Sequence, residues 1–153
     1  MNAITFCYEN IDFRIWEDNI LAAWIESSVK NEDNDIGHIN FIFCADDYLY
    51  EMNKKYLKHE TLTDVITFDY CEEKVISGDI FISIDRVREN GKKFKVRFEN
   101  ELARVMIHGV LHLVGYGDKN EDEKKLMTEM ENHYLSKLYV SHETSHLQNT
   151  QKA

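Results

Sequence analysis

One apolar run that closes on two glycines constrains this chain more than any other feature: Ile107-His108-Gly109-Val110-Leu111-His112-Leu113-Val114-Gly115-Tyr116-Gly117-Asp118. At about 3.6 residues per turn, His108 and His112 fall on one face of a helix. Apolar side chains fill the other positions, and a helix apolar nearly all round is a buried one, so both imidazoles face inward. Gly115 is placed to end the helix, because glycine adopts the left-handed conformation without steric cost. Gly117 bends the chain again and returns Asp118 toward the imidazoles. Two ring nitrogens and one carboxylate oxygen suit a single zinc ion, with the fourth tetrahedral position left to water. The same residues also admit a plainer reading. The histidines can be core residues bonded to backbone or carboxylate groups, and Asp118 can be a helix N-cap, since Asp118-x-x-Glu121 has capping-box spacing. Gly109 inside the helix costs roughly 1 kcal/mol relative to alanine, so some neighbour needs the bare backbone there.

Around this helix the hydrophobic pattern predicts one α+β domain over residues 1–139, a four-stranded mixed sheet packed with about five helices, the metal site lying at the end of a buried helix. Strands are expected at Ile4–Tyr8, Ile39–Ala45, Val65–Tyr70 and Ile80–Ile84, the last two joined by a charged hairpin loop. Helices are expected at Trp16–Lys30, from Asp46 or Asp47 to about Lys58, near Asp85–Asn90, from about Glu99 to Val114, and from Asn120 to about Leu138. Asn31–Gly37 reads as a polar loop, and Leu126, Met130, Tyr134 and Leu138 as the inner stripe of the last helix. From Val140 the composition turns polar, so residues 140–153 read as a disordered tail. That tail contains His142-Glu143-Thr144-Ser145-His146, the letters of a zinc-protease motif. Without an apolar stripe around it, the pattern lacks the buried helix such a motif needs.

The chain carries a formal charge of −10, which argues against general affinity for nucleic acid. The distribution is uneven. Arg86, Arg88, Lys92, Lys93, Lys95 and Arg97, opposed only by Glu89, make one segment +5 and leave −15 for the rest. Lys93, Lys95 and Arg97 alternate with apolar residues just before the metal helix. They are either one wall of a phosphate-binding cleft or a solvated loop. A second cluster comprises Lys54, Lys55, Lys58 and His59. Arg104, one turn before His108, is a third candidate cation or the partner of a core carboxylate. The three cysteines, Cys7, Cys44 and Cys71, are far apart and form no Cys-x-x-Cys pair, as in a reducing cytoplasm. The N-terminus shows no signal-peptide pattern, and no apolar run approaches the ~20 residues that span a bilayer. No membrane partner is expected.

His108-Gly109-x-Leu111-His112-Leu113-x-Gly115-Tyr116 resembles the signature of the bacterial YbeY family, zinc-dependent endoribonucleases that mature ribosomal RNA. Three upstream motifs share the likeness in order and spacing: Met52-Asn53-x-x-Tyr56, Thr63-Asp64-Val65-Ile66-Thr67-Phe68 and Gly78-Asp79-Ile80-Phe81-Ile82-Ser83. There are two departures. The family's third histidine ligand falls on Asp118, which keeps a competent donor but adds negative charge. The family's arginine after Asn-x-x-Tyr falls on Leu57, which removes a cation, and Lys55 or Lys58 supplies charge nearby without the bidentate fork.

The resemblance implies a one-zinc endoribonuclease specific for single strands, acting in late maturation of the small-subunit ribosomal RNA 3′ end and in ribosome quality control in the cytoplasm. His108, His112 and Asp118 would hold the metal, with His108 also catalytic; from their charge and place in the sequence, Lys55, Lys58, Lys93, Lys95 and Arg97 are the residues expected to bind RNA. Its partners by resemblance are the ribosomal RNA precursor, proteins of the small ribosomal subunit and an assembly GTPase. Spacing by itself supports only metal-assisted hydrolysis. Two other readings stay open: a metallopeptidase-like zinc hydrolase, and a noncatalytic ribosome-assembly factor with a structural zinc.

Overall fold

The computed structural model describes residues 3–58 and 62–151, with side chains through residue 138. Four strands, β1 (Ile4–Tyr8), β2 (Asp35–Cys44), β3 (Val65–Asp69) and β4 (Val75–Ser83), form one sheet in the order β1-β2-β4-β3. β1 and β4 run parallel to β2, and β3 is antiparallel to β4. Five helices accompany them: α1 (Asp18–Asn31), α2 (Asp46–Tyr56), α3 (Ile84–Phe94), α4 (Phe98–Val114) and α5 (Glu121–Gln151). The mixed α+β fold expected from the sequence is the one observed.

Strand alternation sends every second residue to each face. Ile4, Ile39, Phe41, Phe43, Ile76, Ile80 and Ile82 are buried in the larger core beneath α1 and α4. On the opposite face α2 covers a small second core of Cys44, Leu49 and Ile66, with Phe68 and Phe81 packed against it. Helix α4 lies against β4 and β3. Gly109 makes that approach possible: a Cβ there would sit 2.9 Å from Ile80 Cγ2. This is the neighbour that the mid-helix glycine implied.

The structure moves several boundaries. β4 begins at Val75 instead of Ile80, because Gly78 is an in-sheet contact and not a turn. A Cβ at Gly78 would lie 2.6 Å from the Phe68 carbonyl and 2.8 Å from a Leu113 methyl. β2 starts at Asp35, inside the expected loop, because Asp35 and Ile36 pair with Val75 and Ile76 before a register shift at Gly37-His38. α3 runs four residues past Asn90 to Phe94. Ser83 caps it, accepting from the Arg86 amide at 3.1 Å.

The inner face of α5 is also rotated from the expected stripe. Met127, Glu131, Tyr134, Leu135 and Leu138 are buried, whereas Leu126 is 46% exposed. A strict spacing of four advances about 40° per step at about 3.6 residues per turn, so it winds off the contact face that a mixed three-and-four spacing follows. α5 continues past Leu138 to Gln151. The side chains of residues 139–153, and with them the His142–His146 pattern, lie outside those described, as does His59. Among the described residues no helix is long and apolar enough to cross a membrane.

Candidate metal centre

α4 delivers His108 and His112 from one face, their rings 4.6 Å apart between centroids and nearly perpendicular. The helix stops at Gly115, whose φ of 124° is one that side chains rarely adopt. Amides of Gly115 and Tyr116 both return to the Leu111 carbonyl, closing the last turn. Gly117 then passes so close to Glu123 that a Cβ would stand 2.6 Å from its Oε1. The result is the reversal expected from the sequence, and Asp118 comes back to the imidazoles. Its Oδ2 lies 3.2 Å from His112 Nε2 and 3.4 Å from His108 Nε2. One donor atom from each of the three residues falls within 4.8 Å of the others, a group able to hold a metal.

Asp118 does not cap α5. Asn120 does, accepting from the Glu123 amide at 2.8 Å, while Glu123 reaches back to the Lys119 amide at 2.9 Å. The N-cap is thus two residues later than Asp118-x-x-Glu121 implies, and the Asp118 carboxylate is left to the histidines.

The other ring nitrogens are held from outside. His108 Nδ1 is 2.7 Å from Glu131 Oε2, and His112 Nδ1 is 3.0 Å from the Tyr116 carbonyl. Both partners are acceptors, so in the neutral imidazoles each Nδ1 carries the proton and each Nε2 presents a lone pair. Two lone pairs and a carboxylate oxygen then converge with no donor among them, an arrangement that a cation at the centre satisfies. Zinc–ligand bonds of about 2.0–2.1 Å in a tetrahedron give ligand–ligand edges of about 3.3–3.4 Å, close to the two distances to Asp118. The residues fit a zinc ion, including the outer hydrogen bonds that orient metal-binding imidazoles.

Charge around His108 is dense. Arg104 Nη1 donates to Glu131 Oε1 at 2.8 Å and Nη2 to Asn132 at 2.7 Å, so Arg104 is the partner of a buried carboxylate. Burial pulls the His108 ring downward, but the hydrogen bond and charge of Glu131, then Asp118 and Asp64, overcome it, and its pKa stands above 6.5. Burial pushes the Asp64 carboxyl up, with His108 pulling the other way. Glu101, 7% exposed on α4, is likewise raised by burial and then by Asp64, against Arg104. Further out, Tyr116 donates to Glu32 Oε1 at 2.8 Å, and Tyr134 donates to Glu32 Oε2. Burial and these bonds push both phenols up to about 12.

The sequence did not single out Glu131, Glu101 or Glu32, and it used Asp64 only as a motif letter. The available signal for Glu131 and Glu101 was a carboxylate on a helix face otherwise apolar, which requires a partner once buried. Glu32 carried no such signal.

The expected RNA-binding residues lie elsewhere. Arg97 directly precedes the far end of α4, eleven residues before His108 and therefore about 16 Å away along the axis. Lys93 and Lys95 end α3 beside it. All three are exposed. Lys55 sits on α2 with its ammonium 5.1 Å from the Tyr56 ring centre. Lys58 follows α2 in a left-handed conformation, and Leu57 beside it is 45% exposed.

Comparison with known proteins bears on this centre. Residues 8–139 match the family model described as Endoribonuclease YbeY. A Flavobacterium psychrophilum protein named Endoribonuclease YbeY is 53% identical over 137 residues, covering 90% of this chain and 97% of its own length. A Karelsulcia muelleri protein of the same name is 48% identical over 132 residues, covering 86% and 93%. A solution structure of TM1509 from Thermotoga maritima superposes with a TM-score of 0.66 at 31% identity over 92% of each chain.

Proposed function

The chain belongs to the YbeY family of endoribonucleases, and from that premise we propose that His108, His112 and Asp118 hold one zinc ion at which single-stranded RNA is hydrolysed. As an endoribonuclease it acts on phosphodiester bonds. The observation that carries the metal assignment is the convergence of two imidazole Nε2 atoms on the Asp118 carboxylate, 3.4 and 3.2 Å away.

The chemistry a zinc ion supplies when bound is Lewis acidity toward a phosphoryl oxygen and activation of water near neutral pH. The protein's own groups do the rest. Glu131 and the Tyr116 carbonyl fix both imidazoles with Nε2 inward, so the ligands need little reorganisation. Asp118, 42% exposed at its side chain, leaves the centre open on one side, where an extended RNA strand can reach it. No glutamate follows His108, which separates the site from the protease arrangement of metal and neighbouring base. Lys55 and Lys58 beside Leu57 take the place of the missing guanidinium as phosphate-binding charges. Lys93, Lys95 and Arg97 extend the contact along the substrate, away from the cleaved bond.

The biological setting we propose is the cytoplasm, with the small-subunit ribosomal RNA precursor as substrate, its 3′ end as the place of cleavage and ribosome quality control as a second role. Small-subunit ribosomal proteins and an assembly GTPase complete the proposed partners. The test is elemental analysis of full-length protein carrying His142→Ala and His146→Ala, followed by cleavage of single-stranded and duplex RNA with and without chelator. One zinc per chain and chelator-sensitive cutting of the single strand are expected. Cutting that persists without metal, or a different ion at full occupancy, overturns the zinc assignment.

A further inference from the structure

Each imidazole of the centre has a separate outer support, and the two supports meet at one remote carboxylate. His112 is held by the Tyr116 carbonyl, within a turn made of Gly115-Tyr116-Gly117. A segment with two glycines has little conformational preference of its own. Besides the helix-closing amides and the packing of the Tyr116 ring on the core, the Tyr116 hydroxyl ties it down, donating to Glu32 Oε1 at 2.8 Å. His108 is held by Glu131 of α5. One turn along that helix, fully buried Tyr134 donates to the other oxygen, Glu32 Oε2. Glu32 directly follows α1 and is itself anchored, its amide donating to the Val29 carbonyl at 3.1 Å. The neighbouring Asn31 amide group donates to the Tyr134 hydroxyl at 3.0 Å, and Trp24 Nε1 donates to the Tyr134 carbonyl at 2.7 Å. The link therefore comes from a firm part of the core.

We infer that Glu32 is a positioning residue for the metal centre, one carboxylate that sets the turn behind His112 and the helix behind His108 together. It touches neither imidazole and acts through Tyr116 and Tyr134. Losing it frees the glycine turn, and with it both the Tyr116 carbonyl and Asp118, while α5 loses its register against α1. Outer hydrogen bonds to metal ligands are worth about 10–100-fold in metal affinity, and Glu32, one step further out, belongs at the lower end. The inference rests on the metal reading above.

Cobalt(II) reports ligand geometry through its visible absorption, so the test is a cobalt titration of metal-stripped full-length protein in the background lacking His142 and His146. Glu32→Ala and Tyr116→Phe are expected to weaken cobalt binding about tenfold and to change the shape of the absorption band. Glu32→Gln, which can accept from one tyrosine and donate to the other, should restore most of the affinity. If Glu32→Ala does not fold, Tyr116→Phe, a single hydroxyl deletion, decides alone. Variants that melt lower yet bind cobalt with wild-type affinity and an unchanged band make Glu32 a structural strap only and overturn the inference. Wild-type protein that takes up no cobalt overturns the metal reading itself, a different failure.

Discussion

The two ends of helix α4 handle polar chemistry in opposite ways. At the C-terminal end His108, His112 and Asp118 converge, and each imidazole is fixed from behind. No buried side-chain nitrogen or oxygen among the described residues lacks a partner. At the N-terminal end Lys93, Lys95 and Arg97 are exposed, and Arg97 meets Glu99 only at 3.9 Å. The first end holds its ligand atoms with hydrogen bonds from behind, as coordination geometry requires. The second concentrates charge without fixing it, and charge alone suffices to attract a phosphate backbone. Reaction and attraction thus call for different amounts of burial, and α4 spans the distance between them.

The sharpest way to break this comparison is at the converging end. His108→Ala removes a ligand and leaves Glu131 and Asp118 facing each other across the gap. Metal affinity and RNA cleavage should both fall by more than the ~100-fold that bounds loss of an outer hydrogen bond. Glu131→Gln keeps the side-chain shape but weakens the hold on Nδ1, and metal affinity should fall by about 10–100-fold. A His108→Ala protein that keeps its ion and still cuts RNA would show that the convergence is not the centre.

A smaller effect is expected at the charged end. Replacing Lys93, Lys95 and Arg97 together by alanine should leave metal content unchanged and weaken RNA binding. If all three meet phosphates of a single strand, the slope of log affinity against log salt should shrink by about 2, at roughly 0.7 per contact. An unchanged slope would assign the segment to solvent and confine RNA contact to the α2 side, where Lys55 and Lys58 lie.

The converging end was largely legible in the sequence because its signals are local. Two histidines at helical spacing, a glycine stop and a returning aspartate all lie within eleven residues. Gly109 announced a close neighbour, and Ile80 is that neighbour. What escaped depends on pairing across the chain. Gly78 and Asp79 look like turn residues until β2 and β3 flank them, so pattern alone starts β4 at Ile80 and misses its first half. Asn120 took the cap from Asp118 because the reversal after Gly117 lets the chain run two residues further before α5 begins. Glu131 and Glu32 are anonymous acids among 28 acidic residues. Only the packing of α5 on α4 and α1 gives them a task.

The smallest effect lies between the two ends, at Glu101, and it tests what burial costs the converging end in the absence of metal. Its carboxyl titrates above the usual 4.5, pushed by burial and then by Asp64, with Arg104 opposing. A group whose folded pKa is raised contributes fully to stability below its unfolded value and loses that contribution as pH rises through the folded one. At neutral pH this carboxyl therefore costs the metal-free folded protein stability, and Glu101→Gln, which keeps the uncharged shape, should raise its melting temperature. Each ~1 kcal/mol of relief moves the midpoint by about 2–4 °C in a chain of this size. The two melting curves should converge as pH falls below 4.5, where the carboxyl is protonated in the folded and the unfolded chain alike. A bound cation should shrink the gain by neutralising the same cluster. If instead the substitution lowers the midpoint at neutral pH, the attraction of Arg104 outweighs desolvation, and the converging end is held together by its charges more than it is strained by them.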